Sequence, residues 1–186
     1  MQMQAAAQVL IRPLQNADER RRCAEFMAGS EPWITLRRTY EDGLRFLLDP
    51  TREVYVAAIK DAIAGFIVLN LRGPLNGYIQ TICVAPERRN LGIGRQLIAF
   101  AEERIFRESP NVFLCVSSFN TRAQKLYARL GYDRVGELKD YVVKGHSEIL
   151  MRKTQGSLAD FHPGSTGSKK NRRAGGKKRS RSRDAS

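Results

Sequence analysis

The sequence predicts an α/β domain built on a mixed, largely buried β-sheet flanked by helices. Three observations carry that expectation. Short runs rich in Val, Ile, Phe and Tyr alternate with segments whose apolar residues recur every three to four positions. Runs such as Glu53-Val-Tyr-Val-Ala-Ala-Ile59 are apolar at successive positions, as strands covered on both faces are. A strand pattern at 78–85, a helix pattern at 93–107 and a strand pattern at 111–116 follow at crossover spacing, which implies a parallel pair with a right-handed connection.

Residues 9–14 read as the first strand, and Asn16 with Asp18 and Glu19 supplies the start of a helix that runs to Ala28. Gly29 and the Glu31-Pro32 pair end it. Trp33, the only tryptophan, follows, either anchoring its loop on the core or touching a substrate. A second helix, 40–48, has Tyr40, Leu44, Leu47 and Leu48 on one side, and Pro50 closes it. Strands at 53–59 and 64–70 are joined by Lys60-Asp61 as a tight hairpin. Asn120 caps a helix with Ala123, Leu126, Tyr127 and Leu130 on one face, and Gly131 stops it. Strands at 133–138 and 147–152 form a hairpin across 139–146, in which Glu148 alternates with Ile149 and faces solvent.

With 186 residues, the chain suits one domain plus a tail. Its formal charge of +13 is uneven: residues 163–186 hold nine Lys/Arg against one Asp, so most of the excess sits there. From Gln155 the composition turns to Gly, Ser, Lys and Arg, which bury too little surface to offset ordering entropy. The expected division is a folded domain over 1–154 and a disordered basic tail over 155–186. Lysine and arginine without interleaved aromatics favour non-specific phosphate contact, with RNA or a ribosome as the partner, or simply a solvated tail. Cys23, Cys83 and Cys115 lack the spacing of a disulfide framework or zinc site, so no metal is expected. No apolar run approaches the ~20 residues of a membrane span, and the N-terminus lacks the pattern of a signal peptide. A soluble cytoplasmic protein, monomer or homodimer, with no membrane partner is the expectation.

The most informative stretch is Arg88-Arg89-Asn90-Leu91-Gly92-Ile93-Gly94-Arg95, between the 78–85 strand and the 93–107 helix. Exposed amides at a helix N-terminus, close backbone approach at glycine and three arginines favour a phosphate-bearing ligand. The chain has no Gly-x4-Gly-Lys-Ser/Thr run, and a dinucleotide fingerprint would need glycine at Leu97. Arg-x-x-Gly-x-Gly remains, as an anion site or a solvated basic turn.

This run resembles the acyl-CoA pyrophosphate loop of the GNAT superfamily of N-acetyltransferases. Asn120-Thr-Arg-Ala-Gln-Lys-Leu-Tyr127, followed by Leu130-Gly-Tyr132, is similar to that superfamily's second motif. The resemblance covers residues 8–154. It implies a GNAT fold, a mixed central sheet with splayed parallel strands flanked by helices, and acetyl-CoA as co-substrate. It also implies that the main chain of Ile82 and Val84 pairs with the pantetheine arm and that a strand amide polarises the thioester carbonyl. Arg88, Arg89, Asn90, Leu91, Gly92, Ile93, Gly94 and Arg95 would hold the pyrophosphate, while Asn120 and Ala123 lie along the arm. Tyr127 takes the part of general acid, protonated at neutral pH because a free tyrosine titrates near ~10. Taken alone, Tyr127 also reads as a core tyrosine, and Asn120 as a helix cap.

The implied activity is acetyl transfer to a primary amine by direct attack, with a peptide N-terminus, a lysine or a small-molecule amine as acceptor. The alternative is a CoA-binding or RNA- or ribosome-associated protein whose tail supplies the main interaction. Length, Glu31-Pro32-Trp33 and Tyr127 resemble ribosomal-protein N-terminal acetyltransferases. Where that group has a glutamate in the fifth strand, this chain has Cys115. Glu31, His146 and Glu148 are the remaining candidates for a base, with His146 read as a surface residue of the hairpin, and the resemblance leaves a water chain as the alternative to any side-chain base.

Overall fold

The computed structural model describes residues 8–163. The elements in chain order are β1 (Val9–Pro13), α1 (Ala17–Ala28), α2 (Tyr40–Leu48), β2 (Glu53–Ile59), β3 (Ala62–Asn70), β4 (Tyr78–Val84), α3 (Ile93–Phe106), β5 (Asn111–Ser117), α4 (Thr121–Arg129), β6 (Asp133–Leu138) and β7 (Glu148–Thr154). Helices α1, α2 and α4 begin where the sequence supplies side-chain caps. Asn16 accepts from the Glu19 amide, and Thr39 with Asp42 forms a reciprocal capping box. Such caps contribute about 1 kcal/mol each. Gly131, at φ +88°, follows α4 in the left-handed conformation that glycine adopts without strain. β3 starts two residues earlier than expected because Ile59 pairs directly with Ala62 across a two-residue turn, with Lys60 at φ +54°.

The strands form one seven-stranded sheet in the order β1-β2-β3-β4-β5-β7-β6. All neighbours are antiparallel except β4 and β5, the predicted parallel pair. Strand alternation sends Ile67 and Leu69 to one face and Phe66 and Val68 to the other. On the first face they meet Leu97, Ile98 and Ile105 of α3. On the second they meet Cys23, Phe26 and Met27 of α1 and Leu47 of α2. The central strands are therefore apolar on both faces.

The structure corrects the expected solvent-facing Glu148. Its residue is only 6% exposed, because β7 lies between β5 and β6 rather than at the sheet edge. Beyond β7 the Gln155 N–H donates to the Pro110 carbonyl at 2.8 Å, and the Ser157 hydroxyl donates to Asp160 at 2.6 Å. Of the expected tail 155–186, residues 155–163 are described, and the basic stretch 164–186 lies outside the described residues. No described helix is long and apolar enough to cross a membrane.

Candidate active site

The site begins where the parallel pair fails. Gly77 accepts from the Phe113 N–H at 2.9 Å, and two pairings follow, Tyr78 with Phe113 and Ile79 with Leu114. Past these positions β4 stays paired to β3 as far as Val84, and β5 stays paired to β7 as far as Ser117. The two strands thus part company, each held by its outer neighbour. Gly77 lies where the short pairing begins. It has φ +87°, and a Cβ there would run into the Asn111 carbonyl and the Ile105 methyl.

Between the separated strands opens a cavity of about 530 Å³, a size typical of small-molecule sites. Gln80, Thr81 and Ile82 form one wall and Cys115, Val116 and Ser117 the other. Asn120, Ala123 and Tyr127 of α4 close one end, while Trp33, Leu36 and Phe46 close the side toward α1 and α2. Trp33 anchors its loop, as one of the two readings expected. It packs edge-on against Phe46 at 5.8 Å between centroids and lines the cavity.

At the end of β4, a 3₁₀ turn (Pro86–Arg88) leads through Asn90, at φ +67°, to Gly92, at φ +80°. Gly92 is the N-cap of α3 and offers no side-chain cap, so the first amides of the helix keep no side-chain partner there. A Cβ at Gly92 would meet nothing within 4 Å, and one at Gly94 would sit 3.6 Å from Val84, an ordinary contact. Packing therefore does not demand glycine at 94. Arg88 and Arg95 are exposed beside this turn. Arg89 is exposed too, but its Nε donates to the Val84 carbonyl at 3.3 Å and an Nη to Ser30 Oγ at 3.2 Å. It ties the turn to the ends of β4 and α1. Asn90 accepts a hydrogen bond from Arg122 of α4, a cation the sequence reading missed.

Tyr127 is 6% exposed, packs edge-on against Tyr132 at 5.7 Å and lines the cavity. Its hydroxyl has no hydrogen-bond partner among the described residues. Burial pushes its pKa up to about 12, so it stays protonated across the neutral range. Asn120 caps α4 by accepting from the Ala123 amide at 3.1 Å, and its side-chain amide group is left without a partner among the described residues. Capping and ligand contact are thus compatible at this residue.

The Acetyltransferase (GNAT) family is matched over residues 15–132. The chain belongs to the GNAT acetyltransferase family. It is 31% identical over 156 residues to the N-alpha-acetyltransferase RimI of Mycobacterium tuberculosis, spanning 80% of this chain and 94% of RimI. The chain spans 37% and 64% of the length of two other curated relatives, at 30% and 34% identity. Among solved structures it is similar in fold to an aminoglycoside 6'-N-acetyltransferase complexed with coenzyme A, with TM-score 0.63 and 18% identity over 78% of this chain and 96% of that one. It is similar likewise to the spermidine/spermine N-acetyltransferase SpeG from Vibrio cholerae, with TM-score 0.62 and 19% identity over 80% and 93% of the two chains.

In this GNAT chain, Ile82, Asn120, Ala123 and Tyr127 come together on one cavity, with the 88–95 turn at the end of the β4 strand that forms its wall. Of the base candidates, Glu31 is exposed and accepts from the Thr35 amide and hydroxyl, and His146 packs on the Phe119 ring at 5.0 Å. Neither lines the cavity, whereas Glu148 does. Gln80 was missed. It lines the cavity with a buried Oε1 that has no hydrogen-bond partner among the described residues, and a lone amide in an apolar strand was its signal. Tyr78 and Cys115 were missed as a pair. Burial pushes both up in pKa, and their mutual interaction raises the phenol further and lowers the thiol.

Proposed function

We propose that this protein is an acetyl-CoA-dependent N-acetyltransferase that transfers acetyl to a primary amine by direct attack, with no metal. Residues 1–154 form the transferase domain and 155–186 a basic tail. The observation that carries this reading is the free edge of β4 beyond Ile79, which opens onto the cavity holding Tyr127. A strand edge without a partner is suited to main-chain pairing with an extended amide-bearing arm. The residues present fit the donor: Gly92 leaves open space before the first amides of α3, Gly94 adds no side chain over them, and Arg88, Arg95 and the Asn90-bound Arg122 bring positive charge to the turn.

Bound acetyl-CoA supplies an activated acetyl thioester. Ile82 and Val84 hold the arm through their main chain, and the 88–95 turn, braced by Arg89, holds the pyrophosphate. Asn120 donates from its unpartnered amide, and Ala123 leaves room beside it. Tyr127, protonated across the neutral range, gives its phenolic proton to the departing sulfur. The acceptor binds on the side of Trp33, Phe46 and Tyr141, and the kinship with RimI puts peptide N-termini first among acceptors to test.

The test is thiol release from acetyl-CoA across free-N-terminal peptides, lysine peptides, spermidine and aminoglycosides, alongside thermal unfolding with acetyl-CoA. Donor at a hundred times its Kd should stabilise the fold by about 2.7 kcal/mol. Absence of both a thermal shift and thiol release would refute the reading.

A further inference from the structure

The cavity holds two carboxylates among its described lining residues, and only one has an oxygen to spare. Asp42 spends both oxygens in the α2 cap, Oδ2 on the Thr39 amide at 3.0 Å and Oδ1 on Arg45 at 2.7 Å. Glu148 accepts from the Ser117 hydroxyl through Oε1 at 2.6 Å, and its Oε2 has no hydrogen-bond partner among the described residues. The register explains its direction. Ser117 pairs with Glu148 and Cys115 with Leu150, so Glu148 shares a sheet face with Cys115 and Ser117, one strand over.

We propose that Glu148, reaching the cavity from β7, is the catalytic residue that takes the proton from the acceptor amine. The inference rests on the transferase reading above. Its chemistry balances. Glu148 removes one proton from the ammonium, and the neutral nitrogen forms the new C–N bond as the C–S bond breaks. Tyr127 protonates the sulfur and is restored by the second proton leaving nitrogen. Glu148 then releases its proton to solvent, so each turnover yields one amide, one thiol and one proton.

The surroundings suit the role. Burial raises the affinity of Glu148 for a proton, and the Ser117 hydrogen bond partly opposes that, so the carboxylate is a stronger base than an exposed glutamate. The titratable groups facing it are Cys115 of β5, Tyr78 of β4 and Tyr141 of the loop after β6. β6 sets Leu138 opposite, and Arg38 and Arg52 are the cations on the cavity lining.

The isosteric Glu148→Gln variant should lower kcat/KM for the amine by about 10²-fold or more and abolish the acidic limb of its pH profile. Its thermal shift with CoA should match the wild type, because Glu148 lies on the acceptor side. Glu148→Asp should restore part of the rate with a displaced limb, and it decides the matter if the Gln variant does not fold. Carboxyl NMR of the unliganded protein gives a readout free of turnover, expected to show Glu148 titrating above an ordinary glutamate. Full activity of Glu148→Gln with an unchanged pH profile, or a Glu148 that titrates at or below the ordinary value, overturns the proposal. A wild type that acetylates no amine sinks the transferase reading instead, which separates the two failures.

Discussion

Replacing Tyr127 by phenylalanine separates chemistry from stability in a way the geometry makes quantitative. The ring carries the packing, since the side chain is buried and meets Tyr132 edge-on at 5.7 Å, and phenylalanine keeps that contact. The hydroxyl has no hydrogen-bond partner among the described residues, so its removal forfeits no bond worth about 1 kcal/mol within the fold. Stability should therefore change by under about 1 kcal/mol, a Tm shift of at most about 2–4 °C for a chain of this size. Loss of a positioned general acid costs about 10²–10⁴-fold in turnover, or roughly 3–5 kcal/mol of transition-state stabilisation. Thiol-release kinetics at saturating acetyl-CoA and thermal unfolding of the same preparation measure both quantities. The expected result is a large fall in kcat with Tm and CoA affinity nearly unchanged. A variant that turns over within threefold of wild type would remove Tyr127 from the chemistry, and one that loses several kcal/mol of stability would make it a core residue.

Gly94→Ala should stabilise the unliganded protein by about 0.5–1 kcal/mol, since a Cβ there makes only a 3.6 Å contact with Val84. It should also shrink the thermal shift produced by CoA; an undiminished shift would mean the pyrophosphate does not approach this backbone. Gly77→Ala should cost about 3 kcal/mol or more, combining left-handed strain with overlap against Asn111 and Ile105, and denaturant titration would detect it. The side-chain hydrogen bond from Arg12 chiefly holds the Glu19 carboxyl below its ordinary 4.5. Its contribution is complete above pH 4.5 and is lost as pH falls through the lower folded value, so Glu19→Gln should flatten the fall in Tm below pH 4.5.

Much of the fold was legible in local pattern. The caps Asn16 and Asn120, the stop at Gly131 and the Lys60-Asp61 turn each act within a few residues, so their chemistry can be read without neighbours. The two motifs around Gly92 and Tyr127 were legible for the same reason: each is a short run at one helix. Glu148 was misread because alternation with Ile149 looks the same on an edge strand and on an interior one. Sheet order, which puts β7 between β5 and β6, was needed to tell them apart.

The sequence by itself determined the element order and the parallel pair, since these rest on propensity, spacing and turn chemistry. Only the tertiary structure decided where the pair parts after Ile79 and Leu114, that Arg89 braces its turn against Val84 and Ser30, and that Glu148 looks into the cavity. Those facts depend on which strands lie side by side and what lies against each side chain. They join residues dozens of positions apart, Ser30 with Arg89 and Ser117 with Glu148, and no local period along the chain encodes such distances.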